Sequence, residues 1–356
     1  MVQTITVDGT LTAAGTADEA ILFTSAQSTP APAQWRKIVF NPLSTDNVLD
    51  HVTIEYGGYF QPMVDVRTDS LTISDTTIHD GAGIGMQLND ASPTISTTTF
   101  TDNGGRALEL NGASFPTLSE LSASGNGFDG VTVTGTTVTD DYTWGQAIDN
   151  YLVTGNVTVN PDTTLDIVPD TTVRFIGTNT SLIVDGTLTA VGTTDNPILF
   201  TSGQSTPAPG QWKQIVFNDD SQNSVLEYVT VEYGGYFDPV IVIGTSSATI
   251  RNSTITRSND DGIEVSAGSP TITNNNIVAN AEFGLRNTST GTVGATCNWW
   301  GAASGPTNDA NPGGLGQTVS DNVIFSPWLT AEAPNDTCQS GVGGDGRVVY
   351  LPLLIR

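Results

Sequence analysis

Positive charge is scarce in this chain: its 356 residues carry 11 Lys+Arg against 37 Asp+Glu, a formal charge of −26, with only 2 His. That balance excludes a nucleic-acid partner, because binding a phosphate backbone requires a basic face. Docking on an anionic membrane is excluded for the same reason. The surplus of carboxylates favours solubility and divalent cations. Long apolar runs are missing too, so no segment reads as a bilayer-spanning helix. The first residues, "MVQTITVDGT", lack a basic stretch followed by an apolar one, so they hold no signal peptide. Charged residues of both signs make up 13%, while Gly, at 38, is abundant alongside Thr, Ser and Asn. Such a chain suits short strands joined by tight turns and offers little for long helices.

What is there is repetition. "VDGTLTAAGTADEAILFTS" (7–25) returns as "VDGTLTAVGTTDNPILFTS" (184–202), and the offset of 177 holds through Trp35/Trp212 and "EYGGYF" to Leu108/Leu285. Copy two is preceded by "NVTVNPDTTLDIVPDTTVRF" (156–175), and no counterpart precedes copy one. The expectation is that an upstream leader, and with it a first turn, has been removed. A shorter period runs inside each copy. Val64, Met86 and Leu108 step by 22, as do Ile241, Ile263 and Leu285, and so do Ile73/Ile95, Ile78/Phe100, Ile250/Ile272 and Ile255/Ile277/Trp299. A fixed period of this length means stacked units, none of which can bury its apolar face alone. Local alternation ("TITNNNIVAN", "VLEYVTVEY") is the period of a strand. One chain coiling on itself follows, with Asn in turns such as "NNN" at 274–276, where it tolerates left-handed geometry and stacks in ladders. Uniform coils of this size over residues 1–330 give a rod roughly 65–70 Å long at the usual strand spacing.

At this point the residues match a known family. "IVPDTTVRF" (167–175), "LIVDGTLTAVGTTDNPILFTS" (182–202), "QWKQIVF" (211–217) and the closing "CNWWGAASGPTNDANPGGLG" with "VIFSPWL" (323–329) resemble right-handed parallel β-helix proteins of the pectin-lyase-like type, in particular bacterial secreted and cell-surface ones. The resemblance implies an all-β, right-handed parallel β-helix. It covers 1–145 as a first repeat half and 146–330 as a second, continuous half, followed by a linker and apolar strand at 331–356. It implies little about function, since the superfold hosts lyases, hydrolases, epimerases and non-catalytic surface proteins.

No complete catalytic set is read on this shape. Glycoside hydrolysis needs paired carboxylates across a cleft; "SNDDGIEV" offers Asp260 and Asp261, with Arg257 beside them as the base a lyase would need. The Gly-His-Gly and Arg-x-Lys companions of polygalacturonases are absent, and Arg106, the other candidate base, is not duplicated. "LDHVTIEY" resembles the Asp-His motif of pectate lyases, but copy two reads "LEYVTVEY", so His51 is a decoy. Calcium is the one cofactor suggested, through the turn pairs Asp140/Asp141, Asp219/Asp220 and Asp260/Asp261, none of which has EF-hand spacing. Threonine runs such as "TISTTTFTD" lack the regular array of an ice-binding face.

The "YGGYF" turns offer Tyr56, Tyr59 and Phe60, and Tyr233, Tyr236 and Phe237, as faces for sugar rings. The plainer alternative packs them under "STPAPAQW" and "STPAPGQW" against Trp35 and Trp212. Cys297 and Cys338, 41 apart, read as one disulfide in an exported protein. The tail Val348, Val349, Tyr350, Leu351, Leu353, Leu354 and Ile355 is a β-prone edge segment suited to capping or to end-to-end self-association. The functional expectation is a non-catalytic extracellular or cell-surface structural protein that assembles with itself and contacts polysaccharide. A carbohydrate-active enzyme, lyase or hydrolase, is the alternative.

Overall fold

The computed structural model describes residues 3–334 and Cys338. The proposed assembly segment 348–355 lies outside the described residues. Strands of two to six residues alternate with turns, and every strand pairing is parallel. They stack as a parallel β-helix of about eleven turns. One long sheet of twelve strands runs from Thr4–Val7 to Asn276–Val278. Two five-stranded sheets flank its first part, ending at Thr117–Ser119 and Ser122–Ser124. A nine-stranded and a six-stranded sheet flank its later part, beginning at Thr136–Val138 and Tyr142–Trp144. Among the described residues no helix is long and apolar enough to cross a membrane.

The 22-residue rows become interior stacks. Val64, Met86 and Leu108 are in register and buried, as are Ile241, Ile263 and Leu285. Each inward residue sits on its like in the next coil, so the core is one continuous column rather than several clusters. Between strands the chain turns sharply at left-handed residues, many of them Asp or Asn, such as Asp80, Asp102, Asn252 and Asn274. Asn275 is buried; its side-chain amide donates to the Ile250 carbonyl at 2.9 Å and to Asn298 at 3.0 Å, tying three coils together. Asn103 and Asn126 form a similar ladder at a different turn of the first copy, at 2.8 Å.

Three expectations change. The last coil takes 23 residues between Asn275 and Asn298, so Trp299 is half-buried and Trp300 fills the interior in its place. The rod is shorter than expected: the twelve strands of the long sheet, with the Trp299 bridge beyond the last of them, make twelve steps, about 58 Å at ~4.8 Å each. The missing length lies in enlarged coils, in which Ile38 pairs with Val64, Leu199 follows Thr172, and Val229 follows Ile198. Lastly, Leu11, Ile21 and Phe23 are only partly buried, whereas Leu188, Ile198 and Phe200 are fully buried. Their coil is stacked on one side only among the described residues.

The copies also occupy different faces. Lys37–Phe40 belongs to the long sheet, but its counterpart Gln214–Phe217 belongs to the nine-stranded one. Ile198–Ser202 joins the long sheet instead, although its counterpart Ile21–Phe23 lies in a five-stranded one. Along the long sheet, register runs from Ile38 through Leu108, Val131, Tyr151 and Val173 to Phe200, a span of 162 residues against a repeat offset of 177. The missing 15 residues are the distance from Phe23 to Ile38. Copy two is therefore rotated by one face.

Cys297 and Cys338 form a disulfide across a separation of 41 residues. Closing a loop of that length contributes on the order of 3–4 kcal/mol.

Candidate functional site

The "YGGYF" turns are built around tryptophan. Trp35 donates its indole N–H to the Glu55 carbonyl at 2.8 Å, and Trp212 donates to Glu232 at 2.9 Å. Each indole lies flat against the first glycine: a Cβ on Gly57 would meet Trp35 at 2.9 Å, and one on Gly234 would meet Trp212 at 2.8 Å. The insertion before each Trp hydrogen-bonds to the same turn, Ala33 and Gln34 to Gly57 and Tyr56, Gly210 and Gln211 to Gly234 and Tyr233. The space beneath the insertion is thus filled by Trp and Gly. The aromatics that follow are pushed out: Phe60 is 86% and Phe237 76% exposed, and each meets its neighbouring Tyr59 or Tyr236 edge-on at 4.6 or 4.5 Å. Both Phe residues hold left-handed φ, +51° and +57°, an unfavourable region for a bulky side chain. Tyr56 and Tyr233 stay half-buried.

The rotation by one face separates these tips. The first precedes Val64–Val66 of the long sheet, and the second follows Val229–Glu232 of the same sheet. They stand at opposite edges, seven strands apart, about 34 Å along the axis.

Asp260 and Asp261 lie in the turn next to the second tip, where Asn259 donates to the Gly234 carbonyl. They are not on a strand, and they join Glu282 of the next coil in a three-carboxylate group. Asp261 is fully buried and accepts the Phe283 N–H at 2.9 Å; Arg286 approaches its other oxygen at 3.6 Å. Burial pushes its pKa up to about 6, with the Phe283 hydrogen bond opposing and Asp260 adding to the rise. Arg257 is held elsewhere, paired with Glu232 at 2.9 Å and lying over the Tyr233 ring.

The remaining candidates separate. His51 pairs with Asp50 at 3.0 Å near Asp75, on an exterior turn. Arg106 is engaged by Glu109. Asp141 caps the Thr164 N–H, and Asp219 and Asp220 are exposed. Neither of those pairs enters a three-ligand group among the described residues.

A polar network on the outer face of the long sheet was missed. Asp65 is buried and takes Lys37 at 2.7 Å, Arg67 at 2.7 Å and Asn89 at 2.9 Å, while Gln87 donates to Glu109 at 2.6 Å. Burial would raise the Asp65 pKa, but the hydrogen bonds from Arg67 and Lys37 outweigh it and hold it below the usual value. The signal was present: Asp65, Gln87 and Glu109 step by 22 beside the apolar row.

These features define an exterior-decorated parallel β-solenoid. Residues 39–142 and 193–299, more than half of the chain, match the family described as the right handed beta helix region, and residues 135–236 match the pectate-lyase like beta helix domain. The chain belongs to the right-handed β-helix family. No curated protein and no solved structure matches it.

Proposed function

We propose that this protein is a non-catalytic extracellular or cell-surface scaffold that contacts polysaccharide through its two aromatic tips. The observation that carries this reading is the duplicated exposure of Phe60 and Phe237 at left-handed φ. An exposed Phe in that conformation does nothing for folding, while its ring face suits a sugar. The disulfide and the acidic balance fit an oxidising exterior. The 177-residue offset supports reading the chain as two tandem related halves, and the tail at 348–355 supports end-to-end self-association. Affinity electrophoresis in gels containing soluble polysaccharide tests the first point. Retardation should occur and be lost in Phe60→Ser/Phe237→Ser; retardation unchanged in that variant refutes the role of the tips.

A carbohydrate-active enzyme is the second reading, favoured by the raised pKa of Asp261 beside Asp260 and Glu282. Burial weighs against it, because a carboxyl with no exposed surface cannot reach a glycosidic oxygen. Release of reducing ends or unsaturated product, abolished by Asp260→Asn, would establish it.

A further inference from the structure

We propose that the place where the flanking sheets change over holds a two-part binding site for a short neutral oligosaccharide. The two five-stranded sheets end there, and the next coil does not pair with them as strands. It is joined to them by single contacts such as Tyr142 Oη–H to the Pro116 carbonyl at 3.1 Å and Leu121 N–H to Ala147 at 3.2 Å. The surface opens between these contacts. One cavity of about 670 Å³ is lined by Gln146, Asp149, Asn150, Thr172 and Arg174. A second, of about 450 Å³, is lined by Phe115, Leu118, Asp140, Asp141 and Tyr142. They share Gln146 and Ala147 as a common wall.

The linings divide the work a sugar needs. In the first cavity Arg174 is half-buried, and among the described residues its one hydrogen bond goes to Asn150. Burial lowers its pKa, with Asp149 opposing. A guanidinium has five N–H donors, so most remain for ligand hydroxyls, with Asp149 and Gln146 as acceptors beside it. In the second cavity Phe115 and Tyr142 meet edge to face at 5.4 Å, and their rings offer an apolar platform. Both volumes fall in or near the range of small-ligand sites. Charge then selects the ligand. Asp129 and Asp149 line the first cavity and Asp140 and Asp141 the second, against Arg174 alone, so an acidic sugar chain is repelled and a neutral one accepted.

This site shares only its ligand class with the aromatic tips and none of their residues. The test is calorimetric titration of the full chain with cellohexaose, xylohexaose and mannohexaose, and with hexagalacturonate for comparison. At least one neutral hexasaccharide should bind more tightly than hexagalacturonate. Arg174→Gln should weaken that binding about tenfold or more, as expected for losing a charged donor. Gln146→Ala, at an exposed wall position, should weaken it a few-fold without changing the melting temperature. Phe60→Ser/Phe237→Ser should leave hexasaccharide binding unchanged, whatever it does to polysaccharide retardation. The proposal is overturned if no neutral hexasaccharide binds at millimolar concentration or if hexagalacturonate binds best. It is equally overturned if neither cavity variant alters affinity, or if the tip variant alone removes it.

Discussion

Glu55 and Glu232 occupy the same place in the two copies, one residue before the aromatic turn, yet each is engaged from a different position. In the first copy His79 reaches Glu55 at 3.2 Å with Nε2 and Asp80 at 2.7 Å with Nδ1. In the second, the counterpart of His79 is Thr256, and Arg257 in the next position pairs with Glu232 at 2.9 Å. The interior of the turn, by contrast, is the same in both: Trp, Gly-Gly and one indole hydrogen bond. Close packing leaves no alternative inside, because a Cβ on Gly57 or Gly234 would collide with the indole. Outside, an imidazole or a guanidinium can each reach the same carboxylate. Shape constrains the inside of a coil, whereas the outside needs only some polar partner for the carboxylate. The two copies can therefore differ in surface chemistry while sharing a fold.

The largest expected difference lies within the shared interior. Trp212 is fully buried and stacks on Phe175 at 4.3 Å, whereas Trp35 has no ring partner of that kind among the described residues and sits against the open first coil, just before Lys37–Phe40. Trp212→Ala should cost about 3–5 kcal/mol in urea unfolding followed by far-ultraviolet circular dichroism, and Trp35→Ala clearly less. Equal costs would mean that the open coil is as tightly packed as the interior ones.

Next comes the Asp65 network, which the second copy lacks: the counterparts of Lys37, Asp65 and Arg67 are Gln214, Val242 and Gly244. Asp65→Val alone strands Lys37, whose side chain is 12% exposed, and should cost about 2–4 kcal/mol. Asp65→Val with Lys37→Gln adopts the second copy's solution and should recover most of that loss. The pH dependence has a definite sign. The Asp65 pKa is held down in the fold, so its contribution is present above the unfolded value of 3.8 and is lost as pH falls below it. The deficit of Asp65→Val should shrink in acid.

Asp261 has the opposite sign. Its folded pKa of about 6 lies above the unfolded value of 3.8, so the fold penalises the ionised form. That penalty is absent below about pH 4, grows as pH rises to about 6 and is constant above. Asp261→Asn keeps an acceptor for the Phe283 N–H and should stabilise the protein at pH 7 by on the order of 1–3 kcal/mol. Its advantage in melting temperature should vanish near pH 4. The first copy has Gly83, Ile84 and Gly105 where the second has Asp260, Asp261 and Glu282, so the matching turn of the first copy carries no charge at these positions.

How much of this was legible in sequence depended on which constraint left a period. Val64, Met86 and Leu108 announced their register because inward residues must recur once per coil. The same step in Asp65, Gln87 and Glu109 announced the polar row, although polar residues at strand positions read first as solvent face. The rotation of copy two did not show, since an offset of 177 says nothing about faces until each coil's length is known. The changeover cavities were hidden for a related reason. Arg174, Gln146 and Asn150 belong to no repeat: the pairing of Asn150–Val153 with Thr172–Phe175 sets Asn150 beside Arg174, and the failure of two strand stacks to continue opens the surface where Gln146 joins them.

The smallest expected effect returns to the repeated glutamates. Both pairs are partly exposed, with side chains of Glu55 and Glu232 at 16% and 15%. Exposed ion pairs contribute little, typically under 1 kcal/mol, because water and salt screen them. Double-mutant cycles with Glu55→Gln/His79→Gln and Glu232→Gln/Arg257→Gln should both give couplings below about 1 kcal/mol, shrinking as salt is raised. Each cycle carries a second contact, since Thr24 Oγ1 donates to Glu55 at 2.6 Å and Thr201 Oγ1 donates to Glu232 at 3.1 Å. That hydroxyl bond is common to both copies and cancels when the cycles are compared. What remains is the difference between an imidazole bracketed by two carboxylates and a guanidinium resting on a tyrosine ring at 5.5 Å. If the surface rule is right, the couplings agree within a few tenths of a kcal/mol despite this difference in chemistry. A coupling above 2 kcal/mol at either site would show that the corner is set by its ion pair as well as by its tryptophan.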